Sequence, residues 1–405
     1  MNRVVMIYLD AFSSTYLNTR DTPFLHSLAQ SGYYAPLRPM FAFSGIGAAI
    51  FSGTGVNTNG IWCDYVLAED ESSHSPALFK FLLRLCDLVP NDVLSQYSRY
   101  PLHRIFRQSY GTPNMVPPDL LRYFVLKQGS KCTQQNPSGR IIGLFDQLRN
   151  HGVRFRVMGL HESISDTLIM RSARKCMETD CDLVLFKLGA LDHIGHKHGP
   201  ESESIRRKLS EIDHYVEGLV GDASEKTPET CFLIFSDHGM SPVVDTVDLQ
   251  AMLGRLPIAV VDDYFVFLNS TVASFWFRNA RARKAVTDML AQVELGQTLG
   301  HKDLEELGID RIGSEYGELL FAVNEGVACF PDYYRKRVPP KGMHGYAYSS
   351  YDSPVMLVYP YTALGSFERG QSARHIDIMP TVLDLLNVPI PTTCEGRSVL
   401  KRPHS

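Results

Sequence analysis

No two cysteines in this 405-residue chain are spaced C-x-x-C, and the eight that occur are scattered. The chain is also too long to need a disulfide scaffold, so Cys86, Cys231 and Cys329, which sit in apolar runs, read as core side chains. Long apolar runs are missing as well: none reaches the ~18 residues of a membrane span. The opening MNRVVMIYLD has one Arg and a six-residue apolar run ending in Asp, too short for a secretory signal. These two absences set the expectation of a cytoplasmic protein without a membrane span. A basic surplus is absent too, with 40 Lys and Arg against 44 Asp and Glu. No nucleic-acid polymer is therefore expected as a partner. Neither an internal repeat nor a low-complexity linker breaks the chain.

What is present is an alternation. Short apolar runs recur at Val4–Leu9, Phe155–Leu160, Leu183–Leu188, Cys231–Phe235 and Val355–Tyr359. Runs apolar on both faces read as buried parallel strands. Helical patterns lie between them. DTPFLHSLAQSG carries Thr22 as N-cap, Pro23 at the first helical position and Gly32 as a stop. Ile141, Leu144, Phe145 and Leu148 share one helical face, and SESIRRKLSEIDHYVEGLV and IDIMPTVLDLLNV continue the pattern. The expected fold is α/β, an α/β/α sandwich with a mostly parallel central sheet. Two stretches break the rhythm and read as inserted caps: a helical one over 65–138 and an α+β one over 256–340. The catalytic core is then 1–64, 139–255 and 341–405.

In such a sheet, ligands bind beyond the carboxyl ends of the strands. Asp10 ends the first strand, Asp192 follows the Leu183–Leu188 run, and Asp237 and His238 follow Cys231–Phe235. The stretch LDHIGHKHGP adds His196 at i+4 from Asp192, with Gly195 read as a sharp turn in a loop. His193 and His198 read as surface or supporting residues. GMHGYAYSS offers His344 between two glycines. Three carboxylates and three imidazoles suit two divalent ions, Zn2+ first and Mn2+ second, because mixed N/O ligation favours borderline metals. Two such ions clamp the attacking and leaving oxygens of a phosphoryl displacement. In FAFSGIGAAIFSG, Ser44 precedes a small-residue helix over Gly45–Phe51, where a hydroxyl meets backbone N–H groups suited to a phosphate. Taken singly, each has a plainer reading: a strand-end Asp as a turn cap, Ser44 as an N-cap, SDHG as a polar turn.

The order Asp, Ser, Asp-x3-His, Asp-His, His resembles that of the alkaline phosphatase superfamily, and within it the nucleotide pyrophosphatase/phosphodiesterase (type I phosphodiesterase) branch. LDHIGHKHGP resembles that branch's D-x-x-G-H-x-x-G-P, FSDHGM its S-D-H-G-M, and MHGY its late H-G-Y. YLDAFSSTYL with TPFLHSLAQSGYY, SGTGVNTNGIW and DIMPTVLDLLNVPIPTTCEGRSVL are similar to its opening, T-G and closing motifs. The resemblance implies one zinc held by Asp192, His196 and His344, and another by Asp10, Asp237, His238 and the hydroxyl of Ser44. It further implies Ser44 as nucleophile, forming a covalent phospho- or nucleotidyl-serine that water hydrolyses. Three positions depart from the branch. Its nucleophile offset lands on Phe43, one residue before Ser44; its phosphate-binding Asn is absent near Gly45–Gly47; and Asn59 stands where it has a His. A sulfatase would need C/S-x-P-x-R, which FSGIG lacks.

The caps are expected to choose the substrate, a small phosphodiester or diphosphate of nucleotide or nucleotide-sugar type. Trp62 and Tyr65 could stack a base or pack in the core. Arg335 and Arg337, in PDYYRKRVPPKGMHGY, could hold a second anionic group or form an exposed loop. A phosphomonoesterase on the same site is the alternative activity. A non-catalytic protein that binds a phosphorylated ligand is the rival from another class. Oligomeric state is not legible.

Overall fold

The computed structural model describes residues 3–41, 45–63, 65–67, 77–105, 115–126, 141–160, 164–309, 314–351, 353–359, 366–367 and 372–401. The chain divides into two compact units: Met1–Gly60, Gly129–Pro242 and Ser349–Ser405 form one, Ile61–Gln128 and Val243–Tyr348 the other. Segments 65–138 and 256–340 had been read as insertions, and 341–405 as core. The second unit's own limits are 61–128 and 243–348, and it contains His344.

The first unit is built on a six-stranded sheet. Its order across the sheet is Tyr33–Pro36, Val355–Tyr359, Thr230–Phe235, Arg3–Leu9, Leu183–Leu188, Phe155–Met158. Val355–Tyr359 pairs antiparallel with both neighbours, and the remaining pairings are parallel. The central strands are apolar on both faces because both faces are covered. Met6, Leu185, Leu233 and Met356 pack under the helices Ile46–Ser52, Leu144–Asn150 and Ile378–Leu385. Val5, Ile7, Phe186 and Ile234 pack under Pro23–Ser31, Asp166–Met177 and Glu203–Lys226. Each such side chain, wholly buried, contributes about 1.5–3 kcal/mol. The α/β class expected from the sequence is the class found. The helix Pro23–Ser31 starts after Thr22 and stops at Gly32 as the punctuation implied, but Thr22 does not cap it. Asp213 does, accepting from the N–H groups of Phe24 and Leu25 at 3.0 and 2.8 Å.

The second unit holds a four-stranded antiparallel sheet in the order Tyr264–Leu268, Val272–Phe277, Leu319–Val323, Gly296–Leu299. Aromatic rings fill its core: Phe124 lies 5.3 Å from Phe267 and 5.5 Å from Trp276 between ring centroids. The helices Ala77–Cys86 and Asp92–Ile105 belong to the same unit.

Candidate metal centre

Register decides what meets at the carboxyl edge of the first unit's sheet. Leu9 pairs with Leu188, and Tyr8 with Phe235, in parallel ladders. The residues that follow, Asp10, the segment from Gly189 and the Ser236–His238 turn, therefore leave the sheet side by side. Ala11 takes φ +59°, turning the chain away directly after Asp10. The Ser236 N–H donates to the Val355 carbonyl at 3.0 Å, and the Ser236 hydroxyl accepts from the Val355 N–H at 2.8 Å. That pair fixes the turn that presents Asp237 and His238.

LDHIGHKHGP is a helix, Ala190–His198, and not the sharp loop its glycine suggested. The i, i+4 spacing places Asp192 and His196 on one helical face, with Oδ1 and Nε2 3.2 Å apart. Gly195 serves packing instead of turning: a Cβ there would stand 3.0 Å from the Met240 methyl carbon. His193 and His198 are exposed. The helix start is held by Asp166, whose carboxylate oxygens accept from the N–H groups of Gly189 and Ala190 at 3.0 and 3.3 Å.

Asp10, Asp192 and His238 each offer a ligand atom, all within 4.8 Å of one another. His238 Nε2 lies 3.5 Å from an oxygen of Asp10 and 3.5 Å from one of Asp237. The His238 Nδ1 is hydrogen-bonded to the Gly239 carbonyl at 2.8 Å, so Nδ1 carries the proton and Nε2 is left as a donor atom for an ion. Asp237 accepts from the Tyr8 hydroxyl at 2.6 Å and from the N–H groups of Ala11 and His238 at 3.2 and 3.0 Å. Lys187, the register partner of Tyr8, places its ammonium 2.7 Å from Asp10 and 4.6 Å from the centre of the Tyr8 ring.

The two buried carboxylates titrate as a pair. Burial, and next the charge on Asp237, push Asp10 up to about 8, while Lys187 pulls the other way. Burial works against ionisation of Asp237, but His238, Lys187 and the Tyr8 hydroxyl outweigh it and hold Asp237 below the ordinary carboxylate range. Burial likewise works against the Lys187 ammonium, and Asp10 and Asp237 outweigh it, raising Lys187. Three carboxyl groups around one ammonium leave the cluster short of positive charge once they ionise, and its donor atoms are carboxylate oxygen and imidazole nitrogen. That donor set fits divalent cations of the Zn2+ or Mn2+ kind.

Ser44 and Phe43 lie outside the described residues; the helix after them runs Ile46–Ser52 with Gly45 as its N-cap. His344 belongs to the second unit, buried just after Gly342–Met343. Trp62 and Tyr65, which could stack a base or pack in the core, are both buried. Both are 3% exposed; Tyr65 stacks on Phe267 at 4.9 Å, and Trp62 meets Tyr316 edge-on at 5.8 Å. Both are core rings of the second unit. Arg335 and Arg337, which could hold a second anionic group or form an exposed loop, both have partners within the chain. The Arg337 guanidinium donates to the Asp92 carboxylate at 2.7 Å and to the Asp87 carbonyl at 2.6 Å. Arg335 lies beside buried Asp332 and reaches the Ser270 hydroxyl at 3.4 Å.

The sequence reading missed four residues. Lys187 and Tyr8 were hidden in apolar strands, although a lone Lys one residue from a strand's carboxyl end was a visible signal. Asp166, in the first turn of its own helix, carried no signal that it starts another. His375 is 1% exposed, and burial pushes it down to about 4, with the nearby Asp237 charge opposing. It is therefore a neutral imidazole packed close to the Asp237 turn.

The sequence profile of the type I phosphodiesterase/nucleotide pyrophosphatase family matches residues 125–347. Among solved structures, murine ectonucleotide pyrophosphatase/phosphodiesterase 5, an inactive variant in complex with AMP, superposes with a TM-score of 0.68 at 13% identity over 96% of each chain. The human protein of the same name gives 0.66 at 15% identity with the same coverage. At those identities the likeness shows the fold. Among curated sequences, the catalytic subunit of human GPI ethanolamine phosphate transferase 3 is 35% identical over 60 residues. That stretch is 15% of this chain and 5% of the transferase. With more than half of its residues matched by the family profile, the chain belongs to the type I phosphodiesterase/nucleotide pyrophosphatase family of the alkaline phosphatase superfamily.

Proposed function

We propose that the protein hydrolyses a small phosphodiester or pyrophosphate of nucleotide or nucleotide-sugar type, using two divalent cations and a covalent serine intermediate. The observation that carries this reading is the meeting of Asp10, Asp192 and His238, from three sequence-distant strand ends, within ligand distance of one another. Asp10, Asp237 and His238 would hold one ion. Asp192 and His196 would hold the other, with His344 assigned to it on its MHGY motif alone. When bound, two such ions, Zn2+ foremost, supply Lewis-acid stabilisation of the charge on the transferring phosphoryl group.

The chain's own residues divide the rest. Asp237 is kept anionic and fixed by Tyr8 and two backbone N–H groups. The Gly239 carbonyl holds the tautomer of His238. Ser44 is the proposed nucleophile on its sequence position: its proton passes to solvent, its Oγ forms the bond to phosphorus, and the bond to the leaving alkoxide or phosphate breaks with the electron pair going to the leaving oxygen. Water then cleaves the serine ester and restores the hydroxyl. The murine relative's complex with AMP supports a nucleotide-like leaving or retained group. The phosphomonoesterase alternative differs only in what the caps admit.

Turnover of bis(p-nitrophenyl) phosphate and p-nitrophenyl phosphate, with added Zn2+ and with chelator, tests the reading. Preference for the diester, loss with chelator, and a several-hundredfold or larger loss in Ser44→Ala are expected. Monoester preference would select the phosphatase, and cation-independent turnover would end the two-ion reading. The short likeness to GPI ethanolamine phosphate transferases favours one second reading, in which an alcohol replaces water in the second step. Alkylated phosphate products in the presence of ethanolamine or glycerol would identify it.

A further inference from the structure

Lys187 is the one charged residue in the strand LVLFKL, whose other side chains are all fully buried. A lysine so placed is costly unless its ammonium is paired. Here it is held from two sides. Its register partner Tyr8 leaves the same face of the sheet, and the ammonium lies 4.6 Å from that ring's centre, a cation–π distance. The same ammonium stands 2.7 Å from Asp10 Oδ2. Tyr8 is itself tied through its hydroxyl to Asp237 at 2.6 Å. Lys187 is therefore fixed by the groups that fix the ligand carboxylates, and it is aimed at Asp10.

This placement divides the Asp10 carboxylate. Oδ2 faces the ammonium, while Oδ1 faces His238 Nε2 at 3.5 Å. An ion at this end meets Oδ1, with a resident positive charge on the far side of the same carboxylate. Charge sharpens the point. Once Asp10 gives up its proton to make way for an ion, Asp10, Asp192 and Asp237 carry three negative charges and Lys187 returns one, so a single divalent ion neutralises the cluster. A second ion lands beside an ammonium, in surroundings where like charges repel more strongly than in water.

We propose that Lys187 is a resident counter-cation of Asp10 that makes the Asp10–His238 end a weak, readily emptied cation site beside a tighter one. The inference rests on the two-cation reading above and deepens it. A purely structural lysine would leave cation affinity untouched, so affinity is the quantity to measure.

The full chain, stripped with EDTA, is titrated calorimetrically with Zn2+ and with Mn2+ as wild type, Lys187→Met and Lys187→Arg. Wild type is expected to show a tight and a weak class of sites. Lys187→Met should tighten the weak class by roughly tenfold or more, and Lys187→Arg should keep the wild-type isotherm. Two equal classes in wild type, or a Lys187→Met isotherm unchanged or weaker, would overturn the proposal. Should wild type bind no cation, the two-cation reading fails, and metal-free thermal unfolding decides Lys187 separately. Removing the counter-cation should then lower the midpoint by roughly 5 °C, and Asp10→Asn combined with Lys187→Met should regain most of it. An unchanged Lys187→Met midpoint would overturn the counter-cation itself.

Discussion

At the scale of the residue, the site's chemistry is governed by how few positive charges surround its carboxylates. Asp10 shows this through pH. With its pKa moved from 3.8 to about 8, chiefly by burial, the folded metal-free chain keeps a proton on Asp10 that the unfolded chain releases. A folded state that binds the extra proton loses stability as pH rises between those values. Metal-free wild type should therefore lose an Asp10 contribution between about pH 4 and 8 that Asp10→Asn lacks. Thermal midpoints of both proteins, measured in chelator at pH 5 and pH 8, check this. Identical pH slopes would mean that Asp10 ionises normally. The difference between the two proteins is the safe quantity, because buried His375, lowered from 6.5 to about 4, pulls the other way in acid: its contribution is present above 6.5 and is lost as pH falls toward 4. Neither shift was legible in the sequence, since burial creates both, aided at Asp10 by a neighbour 227 positions along the chain.

At the scale of the element, the strands were legible and the ligand-bearing segment was not. Leu183–Leu188 and Val355–Tyr359 are strands over the residues their apolar runs mark, because a strand covered on both faces reads as a nearly continuous apolar run, broken here only by Lys187. Tyr33–Pro36 escaped notice, being four residues long with an exposed proline at its end. Gly195 misled the reading of LDHIGHKHGP because a glycine inside a helix and one in a turn look alike until Met240 is seen against it. The helix is started by Asp166 from another segment. Asp166→Ala should remove that cap, costing about 1 kcal/mol or more, and should weaken cation binding about tenfold by loosening the element that carries Asp192 and His196. Unfolding and cation titration of the variant test the two effects. Lost stability with unaltered cation affinity would show that the helix start does not position its ligands.

At the scale of the whole molecule, the strand-end rule brought Asp10, Asp192, Asp237 and His238 to one edge before any coordinates, because parallel strands must present their carboxyl ends together. The same reasoning could not assign Arg335 and Arg337, since a basic run looks alike whether free or paired. Their partners Asp332 and Asp92 lie inside the second unit. Arg337→Ala should therefore destabilise the chain by about 1–3 kcal/mol, because it strips Asp92 Oδ1 and the Asp87 carbonyl of their guanidinium donor, and it should leave the diester-to-monoester ratio unchanged. A changed ratio at unchanged stability would restore the anion-holding role.

The broadest consequence concerns folding and cations together. Positions 10, 192 and 238 are so far apart in sequence that only the folded chain gathers their donors. A cation therefore binds the native state and not the unfolded one, and at a hundredfold excess over its dissociation constant it stabilises the fold by about 2.7 kcal/mol. The unfolding midpoint should climb with the logarithm of Zn2+ concentration and fall back when chelator is added. The climb should be blunted in Asp192→Asn and in His238→Ala, whose metal-free midpoints serve as their own baselines. A midpoint indifferent to Zn2+ in wild type would mean that the converging carboxylates and imidazoles hold no cation. The edge would then be an acidic cluster steadied by Lys187 alone.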